Sequence, residues 1–117
     1  MSLILGQRAE NTALDFLRQQ GLKLVERNYR CRGGEIDLIM QLNGVLVFIE
    51  VRQRSSARFG SALESVDSQK RARLLHSAQH YLRHHPESCR GPCRFDVVAI
   101  EGEAGKIRWI QNAFGEN

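Results

Sequence analysis

The chain has no apolar run long enough to cross a bilayer. Its longest uninterrupted stretch is Val45 to Ile49, whereas a spanning helix needs about 20 such residues. Met1 to Leu5 is too short for the apolar region of a signal peptide, and nothing resembling a cleavage site follows it. A cytoplasmic protein without membrane contact is therefore expected. Cysteine is scarce as well. Cys31, Cys89 and Cys93 make an odd count, which argues against a disulfide framework. Cys89 and Cys93 follow closely on His80, His84 and His85, but the spacing matches no common zinc pattern. Repeats, low-complexity tracts and long linkers are absent. Lysine is rare: only Lys23, Lys70 and Lys106, against 14 arginines.

What is present fits one domain, since 117 residues fall within the span of a single core, about 100–150. A hydrophobic fraction of 42% and a charged fraction of 26% exclude disorder, collagen and coiled coil as the main state. The net charge is +4. Arginine's planar fork matches phosphate better than lysine's point charge does, so the arginine excess fits a nucleic-acid partner. A base-composition bias in the genome would give the same excess.

Residues from about Gly6 to Gln20 read as a helix, with Ala9, Ala13, Phe16 and Leu17 as its apolar stripe and Gly21 as its stop. Leu22 to Tyr29 reads as a strand, and Gly33-Gly34 as a loop. Glu35 to Leu42 and Val45 to Gln53 are strands around Asn43-Gly44, a strong hairpin signal. Arg54 to Leu63 is polar and irregular. A second helix is expected from about Ser68 to His84, capped by Asp67 or Ser68 and closed by Pro86, with Ala72, Leu75, Ala78 and Leu82 facing inward. Arg94 to Glu101 and Lys106 to Gln111 complete the set as strands. The fold class is α/β in the order α-β-β-β-α-β-β: a mixed sheet of about five strands flanked by helices, within one core.

A two-residue turn at Asn43-Gly44 fixes the hairpin register. Ile36 then faces Val51, Leu38 faces Ile49 and Met40 faces Val47, giving one apolar face. The other face opposes Glu35 to Arg52, Asp37 to Glu50 and Ile39 to Phe48. Opposed Cβ atoms stand about 4.5–5.5 Å apart, so Asp37 and Glu50 repel unless one is protonated or a cation lies between them. A hydrated Mg²⁺ is the economical explanation. The alternative is that each acid pairs with an arginine, Arg52 or Arg30, on a solvated sheet face. Glu10 shares the helical spacing of Ala13, Leu14 and Leu17, which sets it at the edge of the buried stripe, where it can reach over the sheet as a third acid.

Gly34-Glu35-Ile36-Asp37-Leu38-Ile39 followed by Val47-Phe48-Ile49-Glu50-Val51-Arg52 resembles the PD-(D/E)xK nuclease signature. More specifically, the chain resembles the YraN-like family of predicted endonucleases, which is similar to archaeal Holliday-junction resolvases. Supporting matches are the early helix with Glu10, Arg27-Asn28, the Phe59-Gly60 loop, Lys70, and Arg94-Phe95-Asp96-Val97-Val98. The resemblance implies a restriction-endonuclease-like core over residues 1–117 and a metal-dependent endonuclease hydrolysing phosphodiester bonds in DNA, including branched or structured DNA. It implies Mg²⁺ or Mn²⁺ held by Asp37 and Glu50, with Glu10 and the Val51 carbonyl as further ligands. Such a metal acidifies a bound water and offsets charge on phosphoryl oxygens.

Arg52 stands where the family motif has lysine, and arginine is a poor proton acceptor. Gln53 and Lys70 are the nearby candidates for positioning. Phosphate contacts are expected from Arg30, Arg32, Arg54, Arg58, Lys70, Arg71 and Arg73, and from free N–H groups at the start of the second helix. The histidines of that helix are expected to be exposed, and Trp109 and Phe95 to fill the core. Junction resolvases of similar fold act as dimers, so a homodimer is admitted, although no segment reads as an interface. Two other functions remain open: a catalytically inactive nucleic-acid-binding module, and a basic protein-interaction domain.

Overall fold

The computed structural model describes residues 3–55, 64–88 and 91–115. Arg58, the Phe59-Gly60 loop and Cys89 lie outside the described residues. Helix α1 spans Leu3–Gln19. It ends where Gly21 takes φ +97°, letting the Leu22 N–H reach back to the Leu17 carbonyl and the Gly21 N–H to that of Arg18, both at 3.0 Å. This is a left-handed cap that glycine reaches without Cβ strain. Strands β1 (Lys23–Cys31), β2 (Gly34–Leu42) and β3 (Val45–Arg54) follow, then helix α2 (Ser68–His84), a 3₁₀ turn at Pro86–Ser88, and strands β4 (Cys93–Glu101) and β5 (Lys106–Phe114).

The five strands lie in sequence order across one sheet. All neighbours are antiparallel except β3 and β4. That parallel pair requires a crossover, and α2 lies within it. This is the α-β-β-β-α-β-β mixed sheet flanked by two helices that the sequence predicts. Asn43 and Gly44 both take positive φ, +50° and +81°, the requirement of a two-residue hairpin turn whose twist matches the strands. No described helix is long and apolar enough to cross a membrane.

Alternation along the strands builds two cores. Leu38, Met40, Val47, Ile49 and Val98 pack under Ala13, Leu14 and Leu17 of α1. Ile39, Leu46, Phe48, Phe95 and Val97 pack under Leu74, Ala78 and Tyr81 of α2. The helices therefore cover opposite faces of the sheet. Phe95 stacks between Phe48 and Phe114 at 5.4 and 5.0 Å, and Trp109 meets Phe16 edge-on at 5.9 Å. Both aromatics pack inward, as expected.

The buried face of α2 differs from the expected one. Leu74, Ser77, Ala78 and Tyr81 are buried, Leu75 and Leu82 lie at the margin, and Ala72 is exposed. Counting aliphatic residues passes over Tyr81, which is fully buried and donates its hydroxyl to Ser88 at 3.0 Å. It also passes over Ser77, whose hydroxyl bonds back to the Arg73 carbonyl at 3.0 Å. Gly34, expected in a loop, instead opens β2 directly beneath this helix. A Cβ there would lie 2.5 Å from Ser77 Oγ and 3.1 Å from the Arg73 carbonyl oxygen. Gly34→Ala is expected to destabilise the fold by about 1–3 kcal/mol through overpacking. A lowered urea midpoint at constant slope checks this, and an unchanged midpoint would mean that α2 yields freely.

Candidate functional site

The β2–β3 ladder runs from Leu42↔Val45 to Leu38↔Ile49 and stops there. The expected continuation, Asp37 opposite Glu50 and Ile36 opposite Val51, does not form. Asp37 instead accepts a hydrogen bond from the Val51 N–H through Oδ2 at 2.8 Å, so its side chain lies in the gap between the separating strands. A residue of an antiparallel strand directs its N–H and C=O toward the same neighbour. The Val51 carbonyl therefore also projects into this gap.

Ile36, expected on the Leu38–Met40 face, packs in the α2 core instead. Residues two apart in a regular strand share a face, so β2 turns over at Asp37. Strand β1 turns over at the same level. Arg27 pairs with Leu38 and Tyr29 with Ile36, leaving Asn28 and Asp37 outside the ladder. Asn28 has φ +51°.

A cavity of about 300 Å³ opens at this point, lined by Glu10, Asn28, Arg30, Glu35, Asp37, Glu50, Val51, Arg52, Gln53 and Lys70 among others. Sheet and both helices contribute to it. Glu50 is 6% exposed. Burial first, then a hydrogen bond and charge repulsion from Asp37, push its carboxyl well above the usual carboxylate range, while Lys70 and Arg52 oppose the shift. Lys70 Nζ stands 3.6 Å from Glu50 Oε2.

Burial and the Asp37 charge also raise the Glu10 carboxyl, opposed by Asn28 and Arg27. Arg27 lies 3.6 Å from Glu10 Oε1. That oxygen and Arg52 Nε are buried without a hydrogen-bond partner. Among the described residues no three His, Cys, Asp or Glu side chains converge tightly enough to enclose a metal ion. Glu10 lines the cavity but leans toward β1, so Asp37 and Glu50 form the close pair.

The remaining predicted residues divide. Arg30 lines the cavity and pairs with Glu35 at 3.3 Å, taking the partner that the extended register assigns to Arg52. Arg73 lines a smaller recess with Gly34, Glu35, Glu50, Lys70 and Leu74. Arg32 is exposed at the β1–β2 turn, where its carbonyl meets His76 Nε2 at 2.9 Å. Arg54 is drawn away: it pairs at 3.1 Å with buried Glu101, which Arg108 also holds at 2.9 Å. Arg71 bonds the Val66 carbonyl and lies over Phe114. The start of α2 is not an open anion site either, because Asp67 Oδ1 accepts the Lys70 N–H at 2.9 Å.

His76, His84 and His85 bond to backbone carbonyls, and His80 shares a hydrogen bond with the Tyr29 hydroxyl. Among the described residues, no histidine lines the acidic cavity. Asp96 is buried but fully engaged by Arg94, Trp109 Nε1 and the Asn112 N–H, an internal brace between β4 and β5. Sequence reasoning had no role for Asn28. The available signal was an asparagine inside a strand-like run, a residue type that tolerates positive φ.

The molecule is thus a mixed α/β domain with a recessed acid pair where its two central strands part, ringed by basic side chains. The chain belongs to the family described as Uncharacterised protein family UPF0102, which matches residues 9–100. This is the YraN-like family that the motifs resemble. A UPF0102 protein of Nitrosomonas europaea is 52% identical over 113 residues, covering 96% of this chain and 94% of the relative. One from Pseudomonas putida strain W619 is 52% identical, covering 93% and 91% respectively. One from Nitrosococcus oceani is 50% identical, covering 93% and 90%.

Proposed function

We propose that this protein is a divalent-cation-dependent endonuclease that hydrolyses phosphodiester bonds in DNA, branched or structured DNA included. The observation that carries the reading is the Asp37–Glu50 pair: two carboxyls lining one recess, one of them buried and pushed up in pKa by that burial and by its neighbour. Such a pair is strained unless a proton or a cation is shared between them. The donor set fits Mg²⁺ or Mn²⁺. Asp37 and Glu50 supply hard oxygens, the Val51 carbonyl projects into the same gap, and Mg²⁺ keeps several sites for water and phosphate. Glu10 completes the set at longer range, through water. When bound, the cation would polarise a phosphoryl oxygen and acidify a water.

The chain's own residues supply the rest. Lys70, beside Glu50, holds the attacking water and offsets charge that develops on the phosphate, which is the part of the missing motif lysine. Arg52 and Gln53 line the floor of the same cavity and position the scissile group. Arg30, Arg32 and Arg73 hold flanking phosphates by charge-assisted hydrogen bonds. Arg52 in the motif-lysine position favours a second reading, in which the domain binds nucleic acid without cutting it.

The test is a cleavage screen on linear, single-stranded, flapped and four-way DNA with Mg²⁺ or Mn²⁺, alongside binding at several salt concentrations. Metal-dependent products that vanish in Asp37→Asn support the nuclease. Binding that weakens with salt, at a log–log slope near −0.9 per neutralised duplex phosphate, but without cleavage supports the second reading. Absence of binding at about 50 mM salt removes both and leaves the basic face to a protein partner.

A further inference from the structure

We infer that Asn28 is the positioning residue that sets Glu10, Asp37 and Glu50 in the cavity, acting once through its backbone and once through its side chain. The inference rests on the proposed cation site, though its first readout does not. Three observations meet at this residue. Its φ of +51° lies in the left-handed region, which most L-residues avoid and asparagine tolerates. It stands outside the β1–β2 ladder at the level of Asp37, between Arg27↔Leu38 and Tyr29↔Ile36. It lines the cavity together with Glu10, whose carboxyl it acts to lower in pKa alongside Arg27.

The backbone effect follows from strand alternation. Leu38 belongs to the core under α1, whereas Ile36 and Tyr29 belong to the core under α2. Both strands must therefore turn over between these pairs, and positive φ at Asn28 accommodates that turn in β1. Asp37 is lifted out of the alternation into the sheet plane, where the Val51 N–H holds it beside Glu50. A β1 that kept regular alternation would carry Asp37 back to a sheet face, and the acid pair would separate.

The side-chain effect runs to the other helix. Glu10 faces the Asp37 charge, and its Oε1 is buried without a hydrogen-bond partner. The Asn28 amide and the Arg27 guanidinium hold that carboxyl at the cavity wall. Outer partners of this kind commonly set ligand orientation, and their loss costs about 10–100-fold in metal affinity.

Three variants of the full chain separate the two effects. Asn28→Gly keeps the backbone conformation and drops the amide. Asn28→Ala drops both, and Asn28→Asp keeps the conformation while placing another carboxylate beside Glu10. The first readout is amide hydrogen exchange at Val51 without metal. Its protection is expected to survive in the Gly variant and to fall at least tenfold in the Ala variant. The second readout is Mn²⁺ affinity by calorimetry, with losses of about 3–10-fold for Gly and about 10–100-fold for Ala.

Should the Ala variant not fold, Gly and Asp decide the matter, both with Val51 protected and Mn²⁺ binding altered. Parental Val51 protection and parental Mn²⁺ affinity in all folded variants would overturn the inference. If the parent itself binds no Mn²⁺, the cation reading fails separately. Loss of Val51 protection in the Ala variant would still uphold the backbone role, and its retention would overturn it.

Discussion

Mn²⁺ is expected to raise the thermal midpoint of this protein, and to raise it more at pH 8 than at pH 6. The cause is the competition between proton and cation at Glu50. Burial and Asp37 hold its folded-state pKa above the unfolded value of 4.5. In the absence of cation, the folded chain therefore keeps a proton that the unfolded chain releases as pH rises past that value. Stability gained from this proton is complete at low pH and declines as pH climbs toward the folded pKa. A cation must displace the same proton, so its stabilisation grows as protons become scarce. At a concentration 100-fold above its Kd, a ligand adds about 2.7 kcal/mol, on the order of 10 °C for a domain of this size at about 4–8 °C per kcal/mol. Glu50→Gln should flatten the pH slope and erase the Mn²⁺ increment, because the amide neither titrates nor holds a hard cation well. Scanning calorimetry of both proteins at both pH values checks this. A parental increment in Glu50→Gln would remove Glu50 from the cation site.

Lys70→Ala is expected to lower metal-dependent cleavage by about 10²–10⁴-fold, the usual worth of a positioned acid–base group. Lys70 Nζ stands 3.6 Å from Glu50 Oε2, and its place is fixed because Asp67 caps its backbone N–H. Arg52 projects from the same strand as Glu50, two residues on, with Nε unpartnered. Its neighbour in the expected register, Glu35, is taken by Arg30. Arg52→Lys in the Lys70→Ala background should therefore return part of the lost rate, since it restores an ammonium near Glu50 from the other side. In the parent background the same change should also raise the rate. Lys70→Arg keeps the charge and should preserve the salt dependence of DNA binding while still slowing cleavage, because the larger fork holds one water less closely. Gel assays under single-turnover conditions give the rates. Cleavage by Lys70→Ala at the parental rate would return the catalytic duty to Arg52.

The hairpin was legible because two independent signals agree there: turn chemistry at Asn43-Gly44 and apolar alternation on either side. That agreement also brings Asp37 and Glu50 together from the sequence alone. The end of the ladder was not legible, because extrapolating a register assumes a period of two, and Asn28 and Asp37 break that period in both strands at once. The buried face of α2 escaped for a related reason. Ser77 and Tyr81 are buried with internally satisfied hydroxyls, and an aliphatic stripe does not include such residues. Arg54 is expected at phosphate because it flanks the site loops. Its partner Glu101 lies 47 positions away, at the end of β4, and only the parallel pairing of these strands reveals it.

The two helices lie on opposite faces of the sheet, yet each sends an ionisable side chain to the same cavity. Glu10 descends from one layer, Lys70 rises from the other, and the strands between them serve as a common ruler. Sliding either layer across the sheet alters the separation of these groups without touching either of them. A misplacement of about 1 Å can cost on the order of 10²-fold in rate, far more than the stability lost when a core residue changes shape. Substitutions deep under α1 or α2, remote from the cavity, are thus a means of adjusting its chemistry, and the two hydrophobic layers act as independent controls on one site.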